Sequence, residues 1–147
     1  LFFWSENMHK LLVAFTLGIA SFSTVQAQSN SELLVSLNSG IPQTQGVAMV
    51  LANQALAQKT TVRVLLCSDA GKLALKAGES TPLKPSNKTP KEMLQGLIKT
   101  GAKVEVCALF LPNTNMSPSD LAEGIGVAKP AEIAGYLLQA NVKTISF

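Results

Sequence analysis

Five short apolar runs, separated by stretches of helical character, constrain this chain more than any other feature it has. The runs are Leu33-Leu34-Val35-Ser36-Leu37, Thr61 to Cys67, Val104 to Ala108, a brief Gly126-Val127, and Val142 to Phe147. The longer ones have strand length, and Asn38-Ser39-Gly40 closes the first with turn residues. Between the first two, Val47, Met49, Val50, Leu51, Ala55 and Leu56 recur near helical spacing over Thr44–Gln58. Thr89-Pro90-Lys91-Glu92 reads as a helix start, with Thr at the cap and Pro at the first helical position, and Gly101 ends that helix. Gly71 to Leu75 is a candidate short helix. Pro112-Asn113-Thr114-Asn115 reads as a break, Ser117-Pro118-Ser119-Asp120 as the start of another short helix ending near Gly124, and Pro130 to Gln139 as the last helix. Strands alternating with helices in this way predict right-handed crossovers and a mostly parallel sheet between helices, that is, a single α/β domain. Gly78 to Pro90, polar and carrying three prolines, is the best candidate for a mobile loop.

Ahead of the first run, Met8-His9-Lys10 introduces the apolar stretch Leu11 to Phe22 and then Val25-Gln26-Ala27, small residues of the kind a signal peptidase reads. Residues 1–27 are therefore expected to be upstream residues plus a cleavable export signal over 8–27, and residues 28–147 the domain. The apolar stretch is short of the roughly 20 residues a bilayer span requires. A periplasmic or secreted product with no membrane attachment after cleavage is the expectation. The net charge of +3 arises from cations scattered singly, and one Tyr is present, so a nucleic-acid partner has little support.

The chain has one His, in the expected leader, and two Cys. Without imidazole in the domain there is no ready general base for hydrolysis. That directs attention to Cys107 and Cys67, each at the carboxyl end of a predicted strand, where open parallel sheets place their clefts. The plain alternative for each is a buried Cys acting as a small hydrophobe. A reactive thiolate needs a nearby cation, and Lys72, just beyond the second strand, is the candidate stabiliser. In an oxidising compartment the two thiols are a possible pair, provided their Cα atoms come within roughly 4.4–6.8 Å; the sequence leaves that open. Asp69, Asp120 and Glu123 read as helix-start or surface acids. Two separated Cys and no domain His argue against a zinc site, and Asn38-Ser39-Gly40 and Gly124-Ile125-Gly126 fall short of nucleotide-binding patterns, so no cofactor or metal is expected.

Two stretches, Val64-Leu65-Leu66-Cys67-Ser68-Asp69-Ala70-Gly71-Lys72-Leu73-Ala74-Leu75 and Gly101-Ala102-Lys103-Val104-Glu105-Val106-Cys107, resemble the DsrE/DsrF-like family of sulfur-relay proteins. The tail from Lys129-Pro130-Ala131 to Phe147 is similar as well. The resemblance implies a three-layer α/β/α domain with a five-stranded parallel sheet, commonly assembled into homotrimers or hexamers. It also implies a Cys, at the position of Cys107, that accepts sulfane sulfur as a persulfide; Cys67 has no functional counterpart carried over. The expected function is thus an exported sulfur carrier or sulfurtransferase that exchanges sulfur with a donor or acceptor protein or a small sulfur compound. Two other readings stay open: a ligand-binding or assembly module with structural cysteines, and a redox sensor built on a reversible Cys67–Cys107 bridge.

Overall fold

A computed structural model describes residues 31–147, so the expected leader at 8–27, with His9, lies outside the described residues. The described chain runs β1 (Glu32–Leu37), α1 (Pro42–Ala57), β2 (Thr61–Leu66), a 3-10 turn (Ser68–Ala74), α2 (Pro90–Lys99), β3 (Lys103–Val106), α3 (Phe110–Asn113), a second 3-10 turn (Pro118–Asp120), β4 (Ile125–Val127), α4 (Pro130–Leu137) and β5 (Val142–Ser146). The strands form one five-stranded sheet in the order β4-β3-β2-β1-β5. Every pairing is parallel, where a mostly parallel sheet was expected.

Strand order decides which face each helix covers. From β1 to β4 the chain steps across the sheet in one direction, and from β4 it returns to the far edge beside β1. Right-handed crossovers therefore send α1 and α2 to one face and α4 to the other, completing three layers. The α1/α2 face carries the core: Val35, Leu37, Val62, Val64, Leu66, Val104 and Val106 pack with Met49, Ala52, Leu94 and Leu97, all essentially inaccessible to solvent. The α4 face holds the alternate residues of the strands and is far more polar, with Ser36, Arg63 and Glu105 beside Leu34 and Leu65. α4 buries none of its own residues. A parallel sheet normally reads apolar on both faces, so this asymmetry is a departure, and Arg63 with Glu105 explains how it is tolerated. Arg63 Nε donates to Glu105 Oε2 at 2.6 Å, Lys103 Nζ lies 3.1 Å from Oε1, and the Tyr136 ring of α4 stacks on the guanidinium at 5.0 Å. Neither buried charge lacks an opposite one.

Local chemistry sets the boundaries. At α2, Thr89 Oγ1 accepts from Glu92 N–H at 3.1 Å while Glu92 Oε2 accepts from Thr89 N–H at 2.7 Å, a complete capping box over the expected Thr-Pro start. Gly101 ends that helix at φ +101, a conformation that penalises any side chain. Three expectations are corrected. Strands β2 and β3 end at Leu66 and Val106, so both cysteines sit one residue past their strands. The expected helix from Ser117 to Gly124 is only the 3-10 turn at Pro118–Asp120, again with a capping box, between Ser117 and Asp120. The expected break at Pro112-Asn113 is instead inside α3. Proline is compatible there because the first turn of a helix has no internal partners for its N–H groups, and Pro112 occupies the third helical position.

The 78–90 segment does more than connect. Lys91 Nζ donates to the carbonyls of Lys76 and Gly78, its backbone N–H donates to Ser80 Oγ, and Leu83 lies over Gly46 of α1, where any Cβ would collide with it. Several contacts therefore fasten this polar stretch to the two helices of the core face.

Candidate functional site

The carboxyl ends of β2 and β3 are adjacent because Leu66 pairs with Val106 in register. The next residue on each strand is therefore Cys67 or Cys107, and the two are joined in a disulfide with a Cα separation of 5.1 Å. That spacing is ordinary for a disulfide. Backbone hydrogen bonds continue past the strands and fix both residues: Cys67 N–H donates to the Leu37 carbonyl at 2.9 Å, and Cys107 N–H donates to the Leu66 carbonyl at 2.8 Å. The sequence alone left this pairing open, because strand order cannot be read from spacing. No free cysteine remains among the described residues.

The bridge lies in a cleft of about 470 Å³ lined by Cys67, Ser68, Asp69, Lys72 and Cys107 on one side and by Leu109, Phe110, Asn113 and Thr114 on the other. Both cysteines are half-buried. α3 supplies the far wall, which sequence reasoning missed by treating Pro112 as a breaker. A signal was available in the polar residues that close it: Asn113 Nδ2 donates to the Leu109 carbonyl at 2.7 Å and Thr114 Oγ1 to that of Phe110 at 2.8 Å. Phe110 is buried against Gly71, which has no room for a side chain, so α3 is seated directly on the 3-10 turn after Cys67.

Lys72, the expected thiolate stabiliser, does line this cleft. Its ammonium is 2.8 Å from Asp69 Oδ1, however, and both side chains are about two-thirds exposed. The hydrogen bond from Lys72, reinforced by its charge, lowers the Asp69 pKa, so Asp69 is ionised at neutral pH. With the cysteines bridged, the partner of the Lys72 ammonium is the Asp69 carboxylate, and the pair is nearly neutral. Asp120 is likewise explained locally, its pKa lowered by hydrogen bonds from Ser117 N–H and then the Ser117 hydroxyl. Glu123 is exposed on the surface.

A second cleft of about 440 Å³ adjoins the first across the Asp69–Lys72 pair. Its walls include Gly40, Ile41 and Gln45, together with Glu79, Ser80 and Thr81 from the 78–90 segment. The segment thus borders the neighbouring cleft and not the bridge. Gln45 is buried at the first turn of α1, and its Nε2 donates to the Ser39 carbonyl at 2.9 Å, which holds the Asn38-Ser39-Gly40 turn in place. Gly124-Ile125-Gly126 forms the entry to β4, a structural role. Among the described residues, no three of His, Cys, Asp and Glu gather as a metal-ligand set, and no helix is long and apolar enough to cross a membrane.

Comparison with solved structures places this architecture. The YchN protein from E. coli superposes with a TM-score of 0.62 at 20% identity, covering 80% of this chain and 99% of that one. MTH1491 from Methanobacterium thermoautotrophicum, described as a protein of unknown function, gives 0.64 at 12% identity with the same coverages. The fold is DsrE/DsrF-like. At these identities the likeness extends to the fold and not to the activity. No family model matches the sequence, and no curated protein matches it.

Proposed function

We infer that the protein is an exported sulfur carrier in which Cys107 holds sulfane sulfur as a persulfide, with the Cys67–Cys107 disulfide as its oxidised resting form. The observation that carries this reading is the placement of both sulfur atoms together, half-buried, in a cleft at the carboxyl ends of two central strands. The described residues include no His, and the other titratable groups lining that cleft, Asp69 and Lys72, neutralise one another, so sulfur is its main chemical resource. Cys107 is taken as the carrier because it occupies the position the DsrE-like resemblance assigns to the persulfide. Exchange with a donor or acceptor thiol proceeds by attack of a thiolate on a sulfur–sulfur bond. Assembly of several copies is part of the proposal, supported by α4, which buries none of its residues and leaves Leu137 and Leu138 exposed.

Mass spectrometry of the reduced protein after exposure to polysulfide tests the carrier step. The expected result is a gain of one sulfur atom that survives in Cys67→Ser and disappears in Cys107→Ser. No gain in the wild type, or an undiminished gain in Cys107→Ser, overturns it. The observed bridge also favours a second reading, a redox sensor, which predicts reversible opening by dithiols without uptake of sulfur. An assembly module with a purely structural bridge predicts a disulfide that resists reductant while the protein is folded.

A further inference from the structure

Building on the carrier reading, we propose that the substrate that charges the site is hydrosulfide, which opens the Cys67–Cys107 disulfide directly. In the bridged state neither cysteine is a nucleophile, so the attacking group must come from solution. The cleft limits which one. Its titratable groups besides the cysteines are Asp69, ionised, and Lys72, already paired with it, so it offers no base to deprotonate an incoming alkyl thiol. Attack on a disulfide is most effective when the nucleophile's own pKa lies near the ambient pH. Hydrogen sulfide loses its first proton near neutrality, whereas an ordinary thiol has a pKa of about 8.5. The near-neutral Asp69–Lys72 pair also offers little to a doubly charged anion such as thiosulfate or sulfite. A small, singly charged, soft sulfur nucleophile meets all of these conditions. The two sulfurs are half-buried in this cleft, whose lining also includes Leu109 and Phe110.

The step balances without a further reagent. The sulfur of HS⁻ attacks Cys107 Sγ, a new sulfur–sulfur bond forms there, and the bond to Cys67 Sγ breaks with its electron pair leaving on Cys67 as thiolate. The hydrosulfide sulfur is oxidised by two electrons to the sulfane level and the bridge is reduced by two. The proton carried in by HS⁻ is shared between the persulfide and the Cys67 thiolate in exchange with solvent. An acceptor thiolate then removes the outer sulfur and leaves Cys107 as thiolate. The resulting dithiol is re-bridged by exchange with a disulfide oxidant, which is reduced to two thiols.

The test is to treat the purified, bridged protein anaerobically with sodium sulfide at neutral pH, trap it with an alkylating agent and map the peptides. The expected result is an added sulfur on the peptide carrying Cys107, an unmodified thiol on the peptide carrying Cys67, and opening at least about ten-fold faster than with glutathione at the same concentration. Opening no faster than with glutathione, or sulfur found on Cys67, overturns the proposal. Loading of Cys67→Ser and Cys67→Ala by polysulfide separates the two levels. If those variants load on Cys107 while the bridge resists sulfide, hydrosulfide is the wrong substrate and the carrier reading stands. If neither variant loads, the carrier reading falls and this proposal with it.

Discussion

Strands β2 and β3 are tied together twice by side chains, and the two ties differ in nearly every physical respect. Arg63 and Glu105 meet diagonally across the strands on the α4 face, their side chains 9% and 6% exposed. Cys67 and Cys107 meet past the carboxyl ends, half-buried and facing a cleft. The ion pair is enclosed by Lys103 and the Tyr136 ring, with little access for water. The disulfide is covalent, yet open to a reagent. Burial leaves the ionic tie little access to water, while the covalent tie lines a cleft that a reagent can enter.

The sharpest way to break this comparison is to remove one charge. Glu105→Ala leaves Arg63 buried without a carboxylate and should lower stability by about 3–5 kcal/mol in denaturant melts. The double variant Arg63→Met with Glu105→Leu should recover most of that loss, because two apolar side chains leave no uncompensated charge. If the single variant loses less than about 1 kcal/mol, the pair is not a structural tie of the kind described. The disulfide should matter less to folding. It closes a loop with a sequence separation of 40, for which loss of the cross-link should cost about 2–4 kcal/mol, read by comparing melts with and without a dithiol reductant. The reduced protein should remain folded, with its sheet signal unchanged by circular dichroism. A reduced chain that unfolds would erase the distinction between a structural tie and a working one.

The smallest effect concerns a local lock on the core face, at the start of α2. Thr89→Ala removes the side-chain half of the α2 capping box and should cost about 1 kcal/mol in a thermal or denaturant melt. Glu92 completes the box, and its pKa is lowered, first by the hydrogen bond from Thr89 N–H and then by that from the Thr89 hydroxyl. A lowered carboxyl contributes stability that is present above its unfolded-state pKa and is lost as pH falls through the lower folded value. The stability advantage of wild type over Glu92→Gln should therefore be present at neutral pH and close on acidification. A gap unaffected by acid would show that the carboxylate is not the stabilising form.

The same contrast separates what was legible in the sequence from what was not. Periodicity and turn chemistry are local, so the Thr89-Pro90 start, the Gly101 stop and the apolar strands could be read from neighbours in the chain. The alternation of elements likewise implied a parallel α/β sheet. Cys107 and Cys67 were identifiable as candidates because each follows an apolar run. Their bridge was not, since it depends on β2 and β3 being adjacent and in register. The Arg63–Glu105 pair escaped for the same reason: an arginine inside Thr61–Leu66 is understandable only when the carboxylate two strand positions diagonally across is known. Pro112 misled because a proline that breaks a helix interior is harmless in a first turn. Lys72 lines the cleft, but its partner Asp69 reads from the sequence as a helix-start acid, so the pairing of the two charges is visible only in the structure.

The strand-like hydrogen bonds that hold the amides of Cys67 and Cys107 have a kinetic consequence. With both backbones clamped by neighbouring carbonyls, the sulfur atoms part by swivelling about their own Cα–Cβ bonds while the chain beneath stays put. Closing the gap again is then a search over side-chain rotamers, with no rearrangement of the backbone needed to bring the two sulfurs back within reach.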